Sequence, residues 1–378
     1  MKTRVIRVNP KTVSAGGDAG LGRLLAPAVR ALKAGRLVGF PTETVYGVGA
    51  IATDAEAVER LRELKDRPEA PFSVHLAAPE DASLYVKDLP ARARTLMAKA
   101  WPGPVTILLP TGGHLASPSL RGKALYGRIA AGDVVGLRCP DDAIARRLLS
   151  RAGGPVLATS ANLPGRKPSV SAGGVLRQLD GRIDVLIDAG RTRCRDASTI
   201  VAFTADGYAL VREGVYGPAD IEGLSRRRII FVCTGNTCRS PMAEAIARKL
   251  LAERDRCRPA ELAGRGLEVL SAGVFAFDGG HPTPEAVAAA GRLGAPVESH
   301  RSRKLTDGLI NSADLLFCMT DRHVAAVGRI AGGAADRTFA LDPDGDIADP
   351  VGADQAVYDR VAERIEKCLR RRMKENLL

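Results

Sequence analysis

Short apolar runs alternate with amphipathic stretches along most of the 378-residue chain. In the first half, runs rich in Val, Ile and Leu predict strands at 37–40, 105–109, 134–137, 156–158, 185–187, 199–203 and 208–211. Between these runs apolar residues recur at helical spacing, as in Ala55, Val58, Leu61 and Leu64. Strands that alternate with helices predict an α/β fold.

The second half repeats the alternation with a more regular order. A strand at 229–233 is followed by a helix at 241–253, a strand at 267–274, a helix at 284–293, a strand at 315–319, and helices at 321–330 and 354–372. Strand–helix–strand units of this kind connect parallel strands through right-handed crossovers. The pattern predicts a doubly wound, Rossmann-like parallel sheet.

A turn-rich stretch at 213–218, a short helix at 219–224 and the basic run 226–228 separate the two halves. A length of 378 residues suits two domains better than one. We therefore predict an open, twisted α/β sheet domain with a basic cleft over residues 1–224. The doubly wound domain is predicted over residues 225–378.

The composition narrows the class of protein. Hydrophobic residues make up 45% and charged residues 26%, which is typical of globular chains and argues against disorder. No apolar run has transmembrane length, and no apolar signal core follows the first residues, so we expect a cytoplasmic protein with no membrane partner. Seven cysteines without a CxxC pair, and five histidines without HExxH, argue against a disulfide scaffold and a metal site.

The chain has a net charge of +12, of which residues 1–224 carry +9 and residues 225–378 carry +3. A polyanionic partner such as RNA is one interpretation of this excess. A solvated, arginine-rich surface is the other, and an aromatic content of 4% favours it because base stacking requires aromatic side chains.

The most specific motif begins at the end of the strand at 229–233. Five residues separate Cys233 from Arg239, which is followed by Ser240 and Pro241; these two suit the N-cap and first position of a helix. A loop between a strand and a helix N-terminus turns its backbone N–H groups toward an anion. We expect these amides and Arg239 to lower the pKa of the Cys233 thiol, and Arg239 to bind phosphate oxygens.

This motif resembles that of the low-molecular-weight protein tyrosine phosphatase family, and the resemblance covers residues 228–372. It implies that Cys233 attacks phosphorus, that Arg239 binds the phosphoryl group and that Ser240 stabilises the thiolate. The aspartate of a late Asp-Pro pair, here Asp349, is implied as the general acid. The substrates implied are phosphorylated proteins, with no cofactor. The phosphate-binding loop implied by the resemblance comprises Thr234, Gly235, Asn236, Thr237, Cys238 and Ser240.

Two positions bear on substrate choice. Thr237 matches the branch of the family that hydrolyses phosphoarginine, where tyrosine-directed members have a bulkier aliphatic residue. Val351 follows the Asp-Pro pair, where the arginine-directed branch has an aromatic residue. Phosphoarginine and phosphotyrosine therefore both remain candidate substrates, with phosphoarginine favoured.

Other polar residues of this half have two interpretations each. Cys238 either forms a regulatory disulfide with Cys233 or packs as a small thiol inside the loop. Asp342, Asp344 and Asp346 loosely resemble a calcium loop, but the remaining ligand pattern is missing, so we interpret them as a polar turn.

In the first half, hydroxyl and basic side chains gather at the ends of predicted strands. The runs lie at 40–47, 65–68, 101–106, 159–162, 198–199 and 212–214, with a further arginine at 138. Open α/β sheets bind ligands at such strand ends, and lysine, arginine and hydroxyl groups together suit a polyphosphate. Taken singly, each residue also fits a helix-end charge, a turn or a strand-end hydroxyl.

The ordered set of motifs resembles the threonylcarbamoyl-adenylate synthase family over residues 18–217. The resemblance implies that L-threonine, bicarbonate and ATP, the last accompanied by Mg²⁺, form threonylcarbamoyl-AMP and pyrophosphate for tRNA modification. It also implies tRNA or tRNA-modification enzymes as partners. The implied threonine-binding residues are Thr44, His75, Arg138 and Ser198. The implied ATP-binding residues are Lys65, Arg67, Ser160, Asn162, Ser169 and Arg212.

Each half also has an alternative of a different class. The basic first half could act as a double-stranded RNA-binding module, with steep salt dependence and no ATP turnover. The second half could be a phosphotyrosine phosphatase or a catalytically silent phospho-binding domain. We favour a bifunctional enzyme because both halves carry ordered sets of reactive residues.

Overall fold

The computed structural model describes residues 2–9, 17–67, 71–204, 207–375 and 378. The chain divides into two compact units, residues 1–225 and residues 226–378.

One mixed sheet forms the centre of the first unit. Its strands are β1 (Arg4–Arg7), β2 (Val38–Phe40), β3 (Gly47–Ile51), β4 (Ser73–His75), β5 (Val105–Pro110), β6 (Ala130–Ala131), β7 (Val134–Arg138), β8 (Val156–Ser160), β9 (Val185–Asp188), β10 (Thr199–Phe203) and β11 (Tyr208–Arg212). They are ordered β1-β9-β2-β3-β8-β4-β7-β5-β10-β11, and β6 pairs with β7. The predicted open α/β sheet is confirmed.

Seven helices accompany this sheet within the described residues: α1 (Gly17–Lys33), α2 (Ala55–Lys65), α3 (Ala91–Ala100), α4 (Lys123–Ile129), α5 (Ala143–Arg151), α6 (Ala172–Leu179) and α7 (Pro218–Ser225). Asp54, Asp142 and Ser171 cap α2, α5 and α6 by accepting hydrogen bonds from backbone N–H groups of the first turn. Buried apolar residues form two clusters; one contains Leu61 and Leu137, and the other Leu25 and Ile187.

The second unit has a four-stranded parallel sheet ordered β13-β12-β14-β15. The strands are β12 (Arg227–Cys233), β13 (Leu267–Gly273), β14 (Leu315–Cys318) and β15 (Thr338–Ala340). The helices are α8 (Arg239–Arg254), α9 (Pro284–Arg292), α10 (Asp307–Ser312), α11 (Asp321–Ile330) and α12 (Gln355–Lys374). Alternating side chains of β12 pack into two apolar clusters, one of which contains Phe231 and the other Ile230. The predicted doubly wound sheet is confirmed.

One local prediction is wrong. Helix α8 begins at Arg239, so Ser240 lies inside its first turn rather than at the N-cap position, which Cys238 occupies. The hydroxyl of Ser240 is turned instead toward the sulfur of Cys233, at an Oγ–Sγ distance of 2.9 Å.

Across the part of the chain that the structure describes, no helix combines the length and apolar character needed to cross a bilayer.

Candidate active sites

Cys233 lies at the carboxyl end of the central strand of the second unit. Strand β12 pairs with β13 on one side and β14 on the other, and α8 begins six residues after the cysteine. Residues 234–238 therefore form a tight connection at the carboxyl end of the sheet, where parallel α/β folds bind ligands. Of the predicted loop residues, Asn236 and Ser240 contact the Cys233 sulfur.

The environment of the Cys233 thiol combines burial with several donors. Its Sγ lies 2.9 Å from the Ser240 hydroxyl, and the Asn236 backbone N–H donates to it at 3.2 Å. Burial raises the pKa of Cys233, while Ser240, Arg239 and the Asn236 amide oppose that rise. The expected lowering of the pKa is therefore wrong, because the sequence shows the donors but not the depth of burial.

We predict that Ser240→Ala raises the pKa of Cys233 further. The hydroxyl is the largest of the opposing influences on this thiol, and one hydrogen bond to a charged group contributes about 1.5–3 kcal/mol. The measurement is the rate of Cys233 alkylation by iodoacetamide as a function of pH. Thr237→Val is the control, since the Thr237 hydroxyl contacts Cys238 instead. Equal alkylation profiles for Ser240→Ala and the parent would contradict the prediction.

Asn236 holds the loop in shape. Its backbone φ of 56° lies in the left-handed region, which asparagine tolerates better than most residues. Its side-chain amide donates to Ser240 Oγ at 2.9 Å and to Ser271 Oγ at 2.8 Å, and its Oδ1 accepts from the Arg303 backbone N–H at 2.7 Å. Gly273 allows the loop to pack closely against it, because a Cβ atom at this position would lie only 2.5 Å from the Thr234 carbonyl oxygen.

Arg239 and Asp349 meet although they are 110 positions apart. The guanidinium of Arg239 is buried, donates through Nη1 to the Ile347 carbonyl at 3.1 Å and forms an ion pair with Asp349 through Nη2. Asp349 remains 46% exposed, so its carboxyl group is accessible to solvent while it contacts the loop arginine. Cys233, Arg239 and Asp349, the predicted nucleophile, phosphate ligand and general acid, thus lie at the carboxyl end of the sheet.

The neighbouring aspartates are engaged separately. Asp342 pairs with Arg364 at 2.8 Å, Asp344 pairs with Arg371 at 2.7 Å, and Asp346 accepts the Asp321 backbone N–H at 2.8 Å. These contacts fit the interpretation of the segment as a polar turn.

Cys238 has its own set of contacts. Its Sγ lies 3.6 Å from each of the hydroxyl oxygens of Thr237, Thr283 and Tyr358, whereas the Cys233 sulfur contacts Ser240 and Asn236. Both cysteines are buried free thiols. Loop packing and a regulatory disulfide both remain interpretations of Cys238.

The first unit contains a cavity of about 250 Å³ that is lined by residues of β3–β8, β10 and β11 and of the adjoining loops. Six of the ten residues predicted to bind threonine or ATP line it: Arg67, His75, Arg138, Ser160, Ser198 and Arg212. The remaining four, Thr44, Lys65, Asn162 and Ser169, adjoin it through hydrogen bonds to lining residues or their neighbours.

The residues predicted to bind threonine centre on Arg138. Its Nη2 donates to Thr44 Oγ1 at 2.6 Å, to Glu43 Oε1 at 3.1 Å and to Thr42 Oγ1 at 3.4 Å. Burial and the adjacent Arg138 charge lower the pKa of His75 to about 3, so its ring is neutral at pH 7. Arg138 therefore has its orientation fixed by buried acceptors beside an uncharged imidazole.

The residues predicted to bind ATP divide into two groups. Lys65 supports the loop after β8, donating to the Ser160 carbonyl at 3.0 Å and the Asn162 carbonyl at 2.7 Å, and burial lowers its pKa to about 8. Ser169 accepts the Tyr46 backbone N–H at its carbonyl rather than lining the cavity. Lys65 and Ser169 therefore support residues that line the cavity but do not line it themselves.

Arg67 and Arg212 face the cavity together with Arg138. Arg212 donates to the Ser198 carbonyl at 2.7 Å, and its pKa is lowered by burial and by the charges of Arg138 and Arg67. The three guanidinium groups destabilise one another electrostatically, and an anion bound between them would relieve that repulsion.

Sequence reasoning missed two residues that organise this cavity. Glu43 is 2% exposed and pairs with Arg138, and Thr106 contacts the Ser198 hydroxyl at 3.1 Å between the oxygens. Glu43 lies inside the hydroxyl-rich run at 40–47. The sequence of that run does not show that Glu43 is buried or that it pairs with Arg138.

The fold and sites define two classes of catalytic domain. The second unit has the cysteine, loop arginine and distant aspartate of a cysteine-dependent phosphatase, and the first has a cationic α/β cleft suited to an anionic substrate. A family model described as "Telomere recombination", named for Sua5, YciO and YrdC, matches residues 30–214. A second model, "Low molecular weight phosphotyrosine protein phosphatase", matches residues 228–377.

Three curated relatives agree with these matches. The threonylcarbamoyl-AMP synthase of Chromohalobacter salexigens is 35% identical over 47% of this chain and 90% of its own length. The synthase of Pyrococcus abyssi is 36% identical over 50% of this chain, which spans only about half (54%) of that relative. The protein-arginine-phosphatase of Bacillus subtilis is 40% identical over 39% of this chain and 95% of its own length. The chain belongs to the Sua5–YciO–YrdC family through its first unit and to the low-molecular-weight phosphotyrosine protein phosphatase family through its second.

Proposed function

We propose that the first unit converts L-threonine, bicarbonate and ATP into L-threonylcarbamoyl-AMP and pyrophosphate, for threonylcarbamoyladenosine formation on tRNA. The observation that carries this proposal is the meeting of three arginines with buried hydroxyl groups around one cavity. The printed names of the relatives from Pyrococcus abyssi and Chromohalobacter salexigens support the same activity. In this proposal tRNA and tRNA-modification enzymes are the partners downstream.

The chemistry requires positioning rather than a covalent enzyme intermediate. The threonine amine and bicarbonate form a carbamate with loss of water, and a carbamate oxygen then attacks the α-phosphorus, releasing pyrophosphate. Thr44, Arg138 and Ser198 hold the amino acid, while Arg67 and Arg212 neutralise phosphate charge that develops in the transfer. Among the residues that the structure describes, the cavity lining includes no carboxylate, so Mg²⁺ would enter as part of the ATP substrate, held by its phosphates.

Pyrophosphate release by the full chain tests this proposal. We expect release that requires threonine, bicarbonate and ATP together. Release that ignores threonine or bicarbonate would contradict the assignment. Salt-sensitive binding of double-stranded RNA without any ATP turnover would support the RNA-binding alternative instead.

We propose that the second unit hydrolyses phosphorylated protein side chains through a phosphocysteine intermediate. Cys233 transfers its thiol proton to a phosphate oxygen of the bound substrate and its sulfur attacks phosphorus. Asp349 protonates the departing nitrogen or oxygen, and Arg239 neutralises the transferring phosphoryl group. Water then attacks phosphorus, Asp349 accepts its proton, and the thiolate leaves. The contact of Ser240 and Asn236 with the Cys233 sulfur carries this proposal. Phosphate binding without turnover would favour the silent phospho-binding alternative.

Within that activity we propose phosphoarginine as the preferred substrate over phosphotyrosine. Thr237 is half-buried in the loop, where a smaller polar side chain leaves space for a planar phosphoguanidinium group. The name of the Bacillus subtilis relative, protein-arginine-phosphatase, supports the same preference.

We predict that Thr237→Ile shifts the preference toward phosphotyrosine. The larger aliphatic side chain fills space beside the phosphoryl group, so kcat/KM on a phosphoarginine peptide should fall about tenfold relative to a phosphotyrosine peptide. Thr237→Ser is the matched control, since it keeps the hydroxyl and adds no volume. Equal kcat/KM values of the parent enzyme on the phosphoarginine and phosphotyrosine peptides would contradict this proposal.

A further inference from the structure

A buried histidine contacts Thr234 of the phosphate-binding loop. His323, in the first turn of α11, is 6% exposed, and both of its ring nitrogens have hydroxyl partners. Nε2 lies 3.0 Å from Thr234 Oγ1, and Nδ1 lies 2.8 Å from Thr320 Oγ1. The mechanism proposed above gives no role to this hydrogen-bonded chain, which joins the loop to a helix 89 positions away.

The ring is neutral at physiological pH. Burial, followed by the positive charge of Arg239, lowers the pKa of His323 to about 4, so one ring nitrogen carries a hydrogen and the other accepts. Thr320 caps α11: its Oγ1 accepts the His323 backbone N–H at 3.3 Å, which directs its own hydroxyl hydrogen toward Nδ1. We assign the ring hydrogen to Nε2, an arrangement in which the Thr320 hydroxyl donates to Nδ1 and Nε2 donates to Thr234 Oγ1.

Thr234 occupies the position directly after the nucleophile. It is exposed, and its carbonyl accepts the Phe275 backbone N–H at 3.0 Å, which anchors its backbone to the segment after β13. The bond from His323 uses one lone pair of its hydroxyl oxygen and fixes the position of that oxygen. A second lone pair and the hydroxyl hydrogen remain available to a substrate.

A hydroxyl group fixed beside the nucleophile discriminates between the two candidate substrates. The guanidinium group of phosphoarginine carries N–H donors close to phosphorus, whereas the aryl ring of phosphotyrosine offers none there. A hydrogen bond that only the guanidinium substrate can make stabilises its transition state relative to that of the aryl ester.

We propose that the chain of Thr320, His323 and Thr234 selects a phosphorylated guanidinium group over a phosphorylated phenol. Thr234 is the specificity-determining residue, whose oxygen accepts a substrate N–H, and His323 is a positioning residue that acts through it. This inference rests on the phosphatase function proposed above.

The test compares four variants of the full chain: Thr234→Val, His323→Leu, the two combined, and His323→Gln. The measured quantity is kcat/KM on a phosphoarginine peptide divided by kcat/KM on p-nitrophenyl phosphate, an aryl ester. Loss of one hydrogen bond of about 1–1.5 kcal/mol should lower this ratio about tenfold in each single variant. The combined variant should fall no further, since both changes remove the same contact. His323→Gln should keep most of the ratio, because its amide N–H can also donate to Thr234.

Several outcomes would overturn the inference. Equal losses on both substrates in His323→Leu would mean that the histidine only supports the fold, and an unchanged ratio in Thr234→Val would remove its role in specificity. Additive losses in the combined variant would show that the two residues act separately. Thr234→Val decides the question even if thermal unfolding shows that His323→Leu is misfolded. A parent enzyme inactive on both substrates would refute the proposed phosphatase function itself, whereas activity on the aryl ester alone would refute only the specificity.

Discussion

Replacing Cys233 by serine should abolish phosphatase activity in the full chain and leave threonine-dependent pyrophosphate release intact. Serine retains the shape of the side chain, but its hydroxyl is far less acidic than a thiol, so it is both a weaker nucleophile and a poorer leaving group in the covalent mechanism. Removal of a catalytic nucleophile typically lowers kcat by more than about 10³-fold. The measurements are p-nitrophenyl phosphate hydrolysis and pyrophosphate release on the same preparation.

Cys257→Ser is the matched control for this change. Cys257 is a half-buried free thiol in the turn that follows α8, so its replacement should leave both activities unchanged. Hydrolysis by Cys233→Ser at a rate near that of the parent would show that another group attacks phosphorus. Loss of pyrophosphate release in Cys233→Ser would show that the two activities depend on each other.

Replacing Arg67 by alanine should have the second large effect, on the other activity. Arg67 lines the cavity of the first unit, yet its own residue is exposed, so the substitution removes charge without leaving a buried partner. Loss of one preorganised donor to a developing phosphate charge costs roughly 10²-fold in rate. We expect threonine- and bicarbonate-dependent pyrophosphate release to fall by about that factor, with hydrolysis of p-nitrophenyl phosphate unaffected.

The comparison variant is Arg94→Ala, which removes an equally charged, exposed side chain from α3 outside the cavity lining. It should retain the pyrophosphate release of the parent. If Arg67→Ala performed as well as Arg94→Ala, the assignment of the ATP site would be wrong.

Much of the fold follows from apolar periodicity, and the elements that escaped prediction are short or glycine-rich. All seven strands predicted in the first half are present. Strand β3 was missed because its residues, Gly-Val-Gly-Ala-Ile, include two glycines, which have low strand propensity. Strands β4 and β15, with three residues each, are too short to show an alternation. Tertiary pairing, rather than local preference, determines such elements.

The site could be predicted where reactive residues are close in sequence, and could not where distant residues complete it. The spacing of Cys233 and Arg239 indicated the phosphate loop directly. The hydrogen bonds that connect Asn236 to Ser271 and Arg303 join three separate parts of the chain, which a single sequence does not reveal. The direction of the Cys233 pKa shift also depends on burial, a property of the packed unit rather than of the motif.

The three guanidinium groups around the first cavity have a thermodynamic consequence. Folding gathers like charges that the extended chain would keep apart, so this unit gives up part of its conformational stability to prepare a binding site. A polyphosphate that enters the cavity returns that free energy, and by mass action its occupancy and the folded population rise together. A rise in substrate concentration would then increase the folded fraction of the unit.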